Sequence, residues 1–234
     1  MTTRVDIYSK VHKGLRKALY ELSYTAGRTD YQNDEEIISL AKLFNEVIHF
    51  LEQHGSNEDL YQLPLLELKK PGSTKHDEET HKKIEIQIKR LKQTFNNLVS
   101  STPKERTLKG EVFYHLFNEF ISSYLIHMQE EELYTAKLFH ELCTDEELNS
   151  AFEMIISKTS PQDMMMMLRY MIPAINRKER IELMSGIKKN APQPAFNAIM
   201  ILAQSILAID EWEYLYNALS TKNESKERFW EAVA

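Results

Sequence analysis

The most constraining feature of the sequence is a set of four long segments in which apolar residues recur every three or four positions. This spacing places apolar side chains on one face of an α-helix, and no segment shows the sustained alternation that is typical of a strand. The chain has only 6 glycines and 7 prolines in 234 residues, which favours long helices over short strands and turns. We therefore expect an all-α fold.

The four segments cover roughly residues 4–24, 34–68, 77–98 and 104–142. Short polar connections separate them, and such connections favour an up-down-up-down four-helix bundle. Beyond these segments the helical patterns become shorter and are punctuated by prolines. We expect a bundle over residues 1–145 and an additional helical C-terminal extension over residues 146–234. The extension either packs on the bundle or mediates association, for example as a homodimer.

Composition narrows the classes of partner and compartment. The net charge of −6 argues against nucleic acid, because binding phosphates requires a basic surface. The single cysteine, Cys143, excludes an internal disulfide and Cys-rich zinc or iron–sulfur sites. No apolar run has the length of a signal peptide or a membrane span. These features predict a cytoplasmic protein with no membrane partner.

Polar residues interrupt each apolar stripe at one level. The positions expected to face inward are Tyr8, His12, Leu15, Leu19 and Leu22 in the first helix, Phe44, Val47, Leu51, His54 and Glu58 in the second, Asp77, His81, Ile84, Ile88, Leu91 and Phe95 in the third, and Leu116, Phe120, Ser123, His127, Glu131, Tyr134 and Leu138 in the fourth. In a bundle whose helices alternate in direction, all four interruptions fall toward the same end. We therefore expect them to converge.

Converging buried histidines and glutamates point to a metal centre. Burying an unpaired neutral polar group costs roughly 2–7 kcal/mol, and a charge costs more. Imidazole and carboxylate ligands suit iron, manganese or zinc. A His–Glu pair four positions apart presents both ligands to one site, and carboxylates from two helices can bridge two metals. The candidate metal ligands are His12, His54, Glu58, His81, His127 and Glu131.

The candidate ligands lie in four sequence pieces that resemble the hemerythrin-like, or HHE cation-binding, family. The pieces are VHKGLRKAL around His12, HGSNEDLYQLPLL around His54 and Glu58, ETHKKIEIQIKRL around His81, and HMQEEELYTAKL around His127 and Glu131. The resemblance covers roughly residues 5–142. It implies a four-helix bundle with two non-haem iron ions, joined by an oxo or hydroxo group. The four histidines would be terminal ligands and the two glutamates would be bridging ligands.

Two positions depart from the oxygen-carrying members of that family. Asp77 stands four positions before His81, where those proteins have a second histidine, and Glu131 stands where they have aspartate. The site is therefore richer in carboxylate and poorer in histidine, and either Asp77 or a solvent molecule completes it. Manganese or zinc is an alternative to iron, because these metals accept the same ligands.

The resemblance implies a protein that binds or senses oxygen, nitric oxide or peroxide, or that handles iron. Two other functions stay open. One is a non-catalytic interaction or stress-response protein whose metal site is structural or degenerate, and the other is a di-iron oxidase or peroxidase.

Several polar residues near the candidate ligands receive a different interpretation. Asp59 has no expected metal role, and Glu130 and Glu132 are either solvated or hydrogen-bonded to a ligand imidazole. Tyr8 and Tyr134 flank the metal level and are interpreted mainly as core residues. The remaining histidines are not candidate ligands. Three lie off the inward stripes, namely His49, His115 and His140, and His76 is interpreted as a loop or helix-start residue.

Overall fold

A computed structural model describes residues 4–231, with side chains described for residues 4–220. Over the described backbone the regular secondary structure consists of helices without strands, which confirms the all-α prediction. None of the described helices is long and apolar enough to cross a bilayer. The contacts divide the chain into two compact units, with the boundary between Ser160 and Pro161.

The described part of the first unit, residues 4–160, contains seven α-helices: α1 (Ser9–Arg28), α2 (Asp34–Asn57), α3 (Leu63–Lys69), α4 (Lys75–Val99), α5 (Pro103–Glu130), α6 (Ala136–Leu142) and α7 (Asp145–Lys158). The described part of the second unit contains α8 (Pro161–Ala174), α9 (Arg177–Asn190), α10 (Gln193–Ile206) and α11 (Ile209–Glu231). A first π-turn (Glu58–Gln62) joins α2 to α3, and a second π-turn (Glu131–Thr135) joins α5 to α6.

Four long helices build the core that positions the site. Helix α1 packs against α2 and α5, and α4 packs against α5 and α2. Their apolar faces meet in an aromatic cluster, where the ring of Phe44 stacks on that of Phe95 at 4.1 Å between centroids and meets Phe113 edge-on at 5.5 Å. The alternating direction of the four helices stays a prediction.

Local sequence signals explain where these helices begin. The Asn33 side chain accepts hydrogen bonds from the backbone N–H groups of Glu35 and Glu36, which caps the start of α2. Thr102 and Glu105 form a capping box at the start of α5. Pro103 fits the first turn of that helix, because no hydrogen bond is required of its nitrogen there.

The inward face of the fourth predicted helix differs in part from the expected one, although Phe120, His127 and Glu131 are buried as expected. The buried residues include Phe113, Phe117, Phe120, Tyr124 and Phe139, whereas Leu116, Ser123 and Leu138 are only half-buried. Steps of three and four are both compatible with a period of 3.6, so the sequence did not distinguish Leu116 from its neighbour. The inward placement of Tyr134 is wrong, because its side chain is 66% exposed. The second π-turn adds a residue at this point and brings Thr135 to the buried face instead.

The second unit has its own apolar core and a buried arginine. Arg180, only 5% exposed, donates from Nε to the carbonyl of Ile172 at 2.8 Å and from Nη2 to that of Ile175 at 2.9 Å. Its Nη1 donates to Glu211 Oε2 at 2.5 Å, so the buried charge is paired. These bonds satisfy carbonyl groups at the end of α8 and tie α8 and α9 to α11.

Candidate metal centre

The six candidate ligands lie together in the interior of the first unit. All are nearly inaccessible, with exposed fractions between 0 and 6%. They form two groups whose potential ligand atoms lie within 4.8 Å of one another: His12, His54, Glu58 and Glu131 in one, and Glu58, His81, His127 and Glu131 in the other. Glu58 and Glu131 belong to both groups, so the two groups share their carboxylates.

Glu131 directs one carboxylate oxygen toward each group. Its Oε2 lies 3.4 Å from His12 Nε2. Its Oε1 lies 3.3 Å from His127 Nε2 and 3.5 Å from His81 Nε2. A carboxylate in this position can contact two cations at once.

Glu58 is arranged in the same way. Its Oε1 lies 3.2 Å from His54 Nε2, and its Oε2 lies 3.4 Å from His81 Nε2. The four histidines therefore all turn Nε2 toward the two carboxylates. Such a convergence from four helices is the geometry that a dinuclear metal centre requires.

The hydrogen bonding of these groups also fits a metal centre. Both oxygens of Glu58, Oε2 of Glu131 and Nε2 of His81 are buried without a hydrogen-bond partner among the described residues. Unpaired polar atoms at this depth are strongly destabilising, and cations between them would satisfy all four. The donor set of imidazole and carboxylate matches the preference of iron, manganese and zinc. The residues present therefore fit a pair of metal ions.

Two further carboxylates, outside the two ligand groups, orient one histidine in each group. His12 Nδ1 donates to Glu132 Oε1 at 3.0 Å, and Arg16 Nη1 donates to the same oxygen at 2.7 Å. His81 Nδ1 donates to Asp59 Oδ1 at 2.7 Å. Because a carboxylate only accepts, each bond places a proton on Nδ1 and fixes the ring with Nε2 toward the centre. Each group thus contains one histidine held by an outer carboxylate.

The family comparison agrees with this geometry. The sequence model of the hemerythrin HHE cation-binding domain matches residues 3–139, more than half of the chain. The chain belongs to the hemerythrin family. Searches of curated proteins and of solved structures gave no match. The family prediction made from the four sequence pieces is confirmed.

The pKa values of the two shared carboxylates in this hemerythrin site shift in opposite directions. Burial and the neighbouring Glu131 raise the pKa of Glu58 well above its ordinary value. Burial acts on the pKa of Glu131 in the same direction, but contacts with His12 and His81 outweigh it and lower that pKa. The uncompensated cost of Glu58 as an anion is what a bound cation would remove.

The pKa values of the histidines also shift in opposite directions. Burial and the nearby His12 lower the pKa of His54, and burial lowers that of His127 to about 4. Burial also opposes charge on His81, but its contacts with Asp59 and Glu131 raise its pKa to about 11. His54 and His127, the two candidate ligands to which no outer carboxylate is assigned, thus favour the neutral form, which is the form that binds metal.

Both shared glutamates begin a π-turn. The N–H of Leu63 bonds the carbonyl of Glu58, and the N–H of Ala136 bonds the carbonyl of Glu131, each across five residues. Short π-segments of this kind are frequent at functional sites. Pro64 has no N–H for an α-helical bond, which agrees with the first π-turn; no comparable sequence signal marks the second.

A second polar layer lies one helical turn from the ligands. Tyr8, Gln62, Asp77 and Thr135 each stand four positions from a candidate ligand, and all are buried. Thr135 Oγ1 donates to Asp77 Oδ1 at 3.0 Å. The hydroxyl of Tyr8 and Oε1 of Gln62 are buried without a hydrogen-bond partner among the described residues. Asp77 belongs to neither ligand group.

Two clefts reach one side of the centre. The first, of about 430 Å³, is bordered by both His81 and His127, and the second, of about 400 Å³, is bordered by His81 and Asp59. Neither is lined by His12 or His54. We call His81 and His127 the cleft half of the centre. We call His12 and His54 the Tyr8 half, because the ring of Tyr8 stacks on that of His12 at 5.1 Å.

The other histidines lie away from the ligand groups. His140 Nε2 contacts the carbonyl oxygen of Val5 at 2.9 Å, and His76 Nε2 contacts Glu130 Oε2 at 3.1 Å. His115 is exposed on α5. The outer role of Asp59 was not predicted, because it depends on a contact between the first π-turn and α4 that no spacing within one helix reveals.

Proposed function

We propose that this hemerythrin domain binds two iron ions, one in the Tyr8 half and one in the cleft half. The observation that carries the proposal is the sharing of Glu58 and Glu131, each of which turns one oxygen toward each half. A single structural ion would not require that both carboxylates face two pairs of imidazoles. Manganese or zinc could occupy the same ligands.

The chain's own ligands leave room for an additional ligand. Each group offers two imidazoles and two carboxylate oxygens, whereas iron in proteins often accepts six ligands. Asp77 is instead hydrogen-bonded to Thr135. We therefore assign the remaining positions to solvent and to a small ligand: oxygen, nitric oxide or peroxide.

Protein groups around the ions would hold their ligands in place. Iron bound here would supply reversible ligand binding or one-electron chemistry with such molecules. Asp59 and Glu132 keep the proton of each attached imidazole on Nδ1, and this leaves Nε2 available. Burial raises the pKa of Glu132, but hydrogen bonds from His12 and Arg16 outweigh it and lower that pKa to about 2.

Metal analysis with an absorption spectrum tests the proposal. Metal-free protein is loaded with ferrous iron without air, passed through a desalting column and then oxidised. We expect about two irons per chain, near-ultraviolet charge-transfer bands of ferric iron, and loss of these bands on reduction. Azide, nitric oxide or peroxide should shift the bands. Failure to retain iron, or retention of zinc alone, would overturn the proposal.

Ligand variants give this test a matched control. His54→Ala and Glu58→Ala should lose iron while circular dichroism shows the same helix content. His115→Ala removes a histidine that is exposed on α5 and should retain all of the iron. Equal iron content in His54→Ala and His115→Ala would contradict the assignment of His54.

A catalytic role in oxidation or peroxide removal is the second candidate. The cleft of about 430 Å³ beside His81 and His127 favours it, because a substrate could reach one half of the centre. Turnover of hydrogen peroxide with a reducing co-substrate, dependent on iron loading, would support catalysis. Stoichiometric and reversible binding without turnover would favour the binding or sensing role.

Two wider expectations complete the proposal. Cys143 is buried and unpaired by any second cysteine in the sequence, which suits the cytoplasm. The second unit exposes apolar side chains such as Ile201 and Ile209, 69% and 70% exposed, and we propose a homodimer through the C-terminal helices. Light scattering of the purified chain would test the dimer, and a monomer at all concentrations would exclude it.

A further inference from the structure

The larger cleft is wide compared with the small ligands of the proposed function. Its volume is about 430 Å³. A water molecule occupies about 30 Å³ of liquid, and a diatomic ligand needs similar space. Pockets for organic molecules typically measure about 300–1,000 Å³. The cleft therefore has the size of a site for an organic ligand.

The inner walls of the cleft are apolar and lead to the metal ligands. Leu51, Ile84, Ile88 and Tyr124 line it, and each is at most 9% exposed. His81 and His127 also border the cleft. Charged side chains such as Glu52 and Lys89 border it as well and are exposed. An occupant would thus contact apolar side chains and the two histidines of the cleft half.

Small residues on α2 create this space. Gly55 and Ser56 follow the ligand His54 and line the cleft. A Cβ atom added at Gly55 would meet nothing within 4 Å. A side chain at position 55 can therefore begin in open space beside the cleft.

The second cleft differs in chemistry. Most of its lining residues are charged, such as Glu67, Glu78 and Lys82. It borders only His81 of the cleft half, and the apolar residues of the larger cleft do not line it. The larger cleft is the one that suits such a ligand.

We propose that the cleft between α2 and α4 admits an organic ligand with an oxygen-donor head and a short apolar chain, of which an aliphatic carboxylate is the simplest form. The head binds the metal in the cleft half, because hard cations accept carboxylate oxygen. The chain lies against Leu51, Ile84 and Ile88. This inference rests on the proposed function and names a class of ligand for the same centre.

A series of carboxylates of increasing length tests the inference on the iron-loaded protein. Formate, butyrate, hexanoate and octanoate are titrated while the ferric charge-transfer bands are followed, with azide as the small reference ligand. Each methylene buried in the cleft should tighten binding roughly two- to fourfold. Hexanoate should therefore bind at least roughly thirtyfold more tightly than formate.

Filling the cleft should remove this gain. Gly55→Leu should weaken hexanoate binding at least roughly tenfold, while azide and formate binding change less than twofold. Gly186→Leu is the matched control, since Gly186 lies in α9 and an added Cβ there also meets nothing within 4 Å. Ser56→Phe, at an exposed position that lines the cleft, gives the same test if Gly55→Leu does not fold or load iron.

The outcomes distinguish this inference from the proposed function. Protein that retains no iron, or whose iron does not respond to azide, overturns the proposed function and this inference with it. Azide binding with affinities for the carboxylates that do not depend on chain length overturns the organic ligand alone. Equal weakening of azide and hexanoate by Gly55→Leu and Ser56→Phe would likewise overturn it, because the cleft would then not distinguish the two.

Discussion

The two halves of the centre share their carboxylates but differ in their surroundings. In the Tyr8 half, an aromatic ring stacks on His12, and Glu132 accepts hydrogen bonds from both that imidazole and Arg16. In the cleft half, Asp59 holds His81, and two clefts reach it. Similar sets of candidate ligands can therefore have different surroundings, with an aromatic ring against one histidine pair and clefts beside the other.

Removing a shared carboxylate should weaken metal binding in both halves, because both halves use it. We expect Glu131→Gln to weaken the binding of both ions by more than roughly a hundredfold, a loss beyond that of an outer ligand partner. Iron content after dialysis against a chelator measures this. Glu119→Gln, an exposed change on α5, should retain both ions. Retention of one ion at full affinity in Glu131→Gln would show that Glu131 is not shared.

Changing the outer carboxylates should separate the halves. Asp59→Asn should weaken binding in the cleft half roughly 10- to 100-fold, and Glu132→Gln should do the same in the Tyr8 half, because each fixes one imidazole. Stepwise binding titrations should then show one weakened ion in each variant and two in the double variant. If both substitutions weaken the same binding step, the assignment of the two carboxylates to separate halves is wrong.

The smallest expected effect concerns the hydroxyl of Tyr8. In metal-free protein this buried group has no hydrogen-bond partner among the described residues, so Tyr8→Phe removes a desolvation penalty. We expect the free energy of unfolding to rise by about 1 kcal/mol in urea denaturation. Tyr24→Phe, where the side chain is 69% exposed, should change it by less than about 0.5 kcal/mol. A loss of stability in Tyr8→Phe would show that the hydroxyl is paired.

Helical periodicity was sufficient to find the inward stripes of three helices. His12, His54 and His81 follow their apolar neighbours at steps of three and four, and all three are buried as expected. Helical periodicity was not sufficient for the fourth helix. Tyr134 fits the period but is exposed, because a π-turn breaks the period after Glu131.

The roles of the acidic residues near the ligands were harder to predict. Glu132 had two open interpretations, and its hydrogen bond to His12 selects one of them. Asp59 had no expected role, although it makes a bond of 2.7 Å to His81. In both cases the partner lies on another helix, and a contact between helices depends on their packing and rotation rather than on spacing within either one.

The sequence by itself determined the helical class, the family and the set of six converging side chains. The family follows from the resemblance of the four sequence pieces. The helices and the inward position of the six side chains follow from spacing within single helices, because a position four residues along a helix lies on the same face whatever the rest of the chain does. Only the tertiary structure decided that each shared glutamate faces two pairs of imidazoles, which acids hold the histidines, and that Gly55 opens a cleft to one half. Those features are distances between helices, and they are fixed only when the side chains of the whole core pack together.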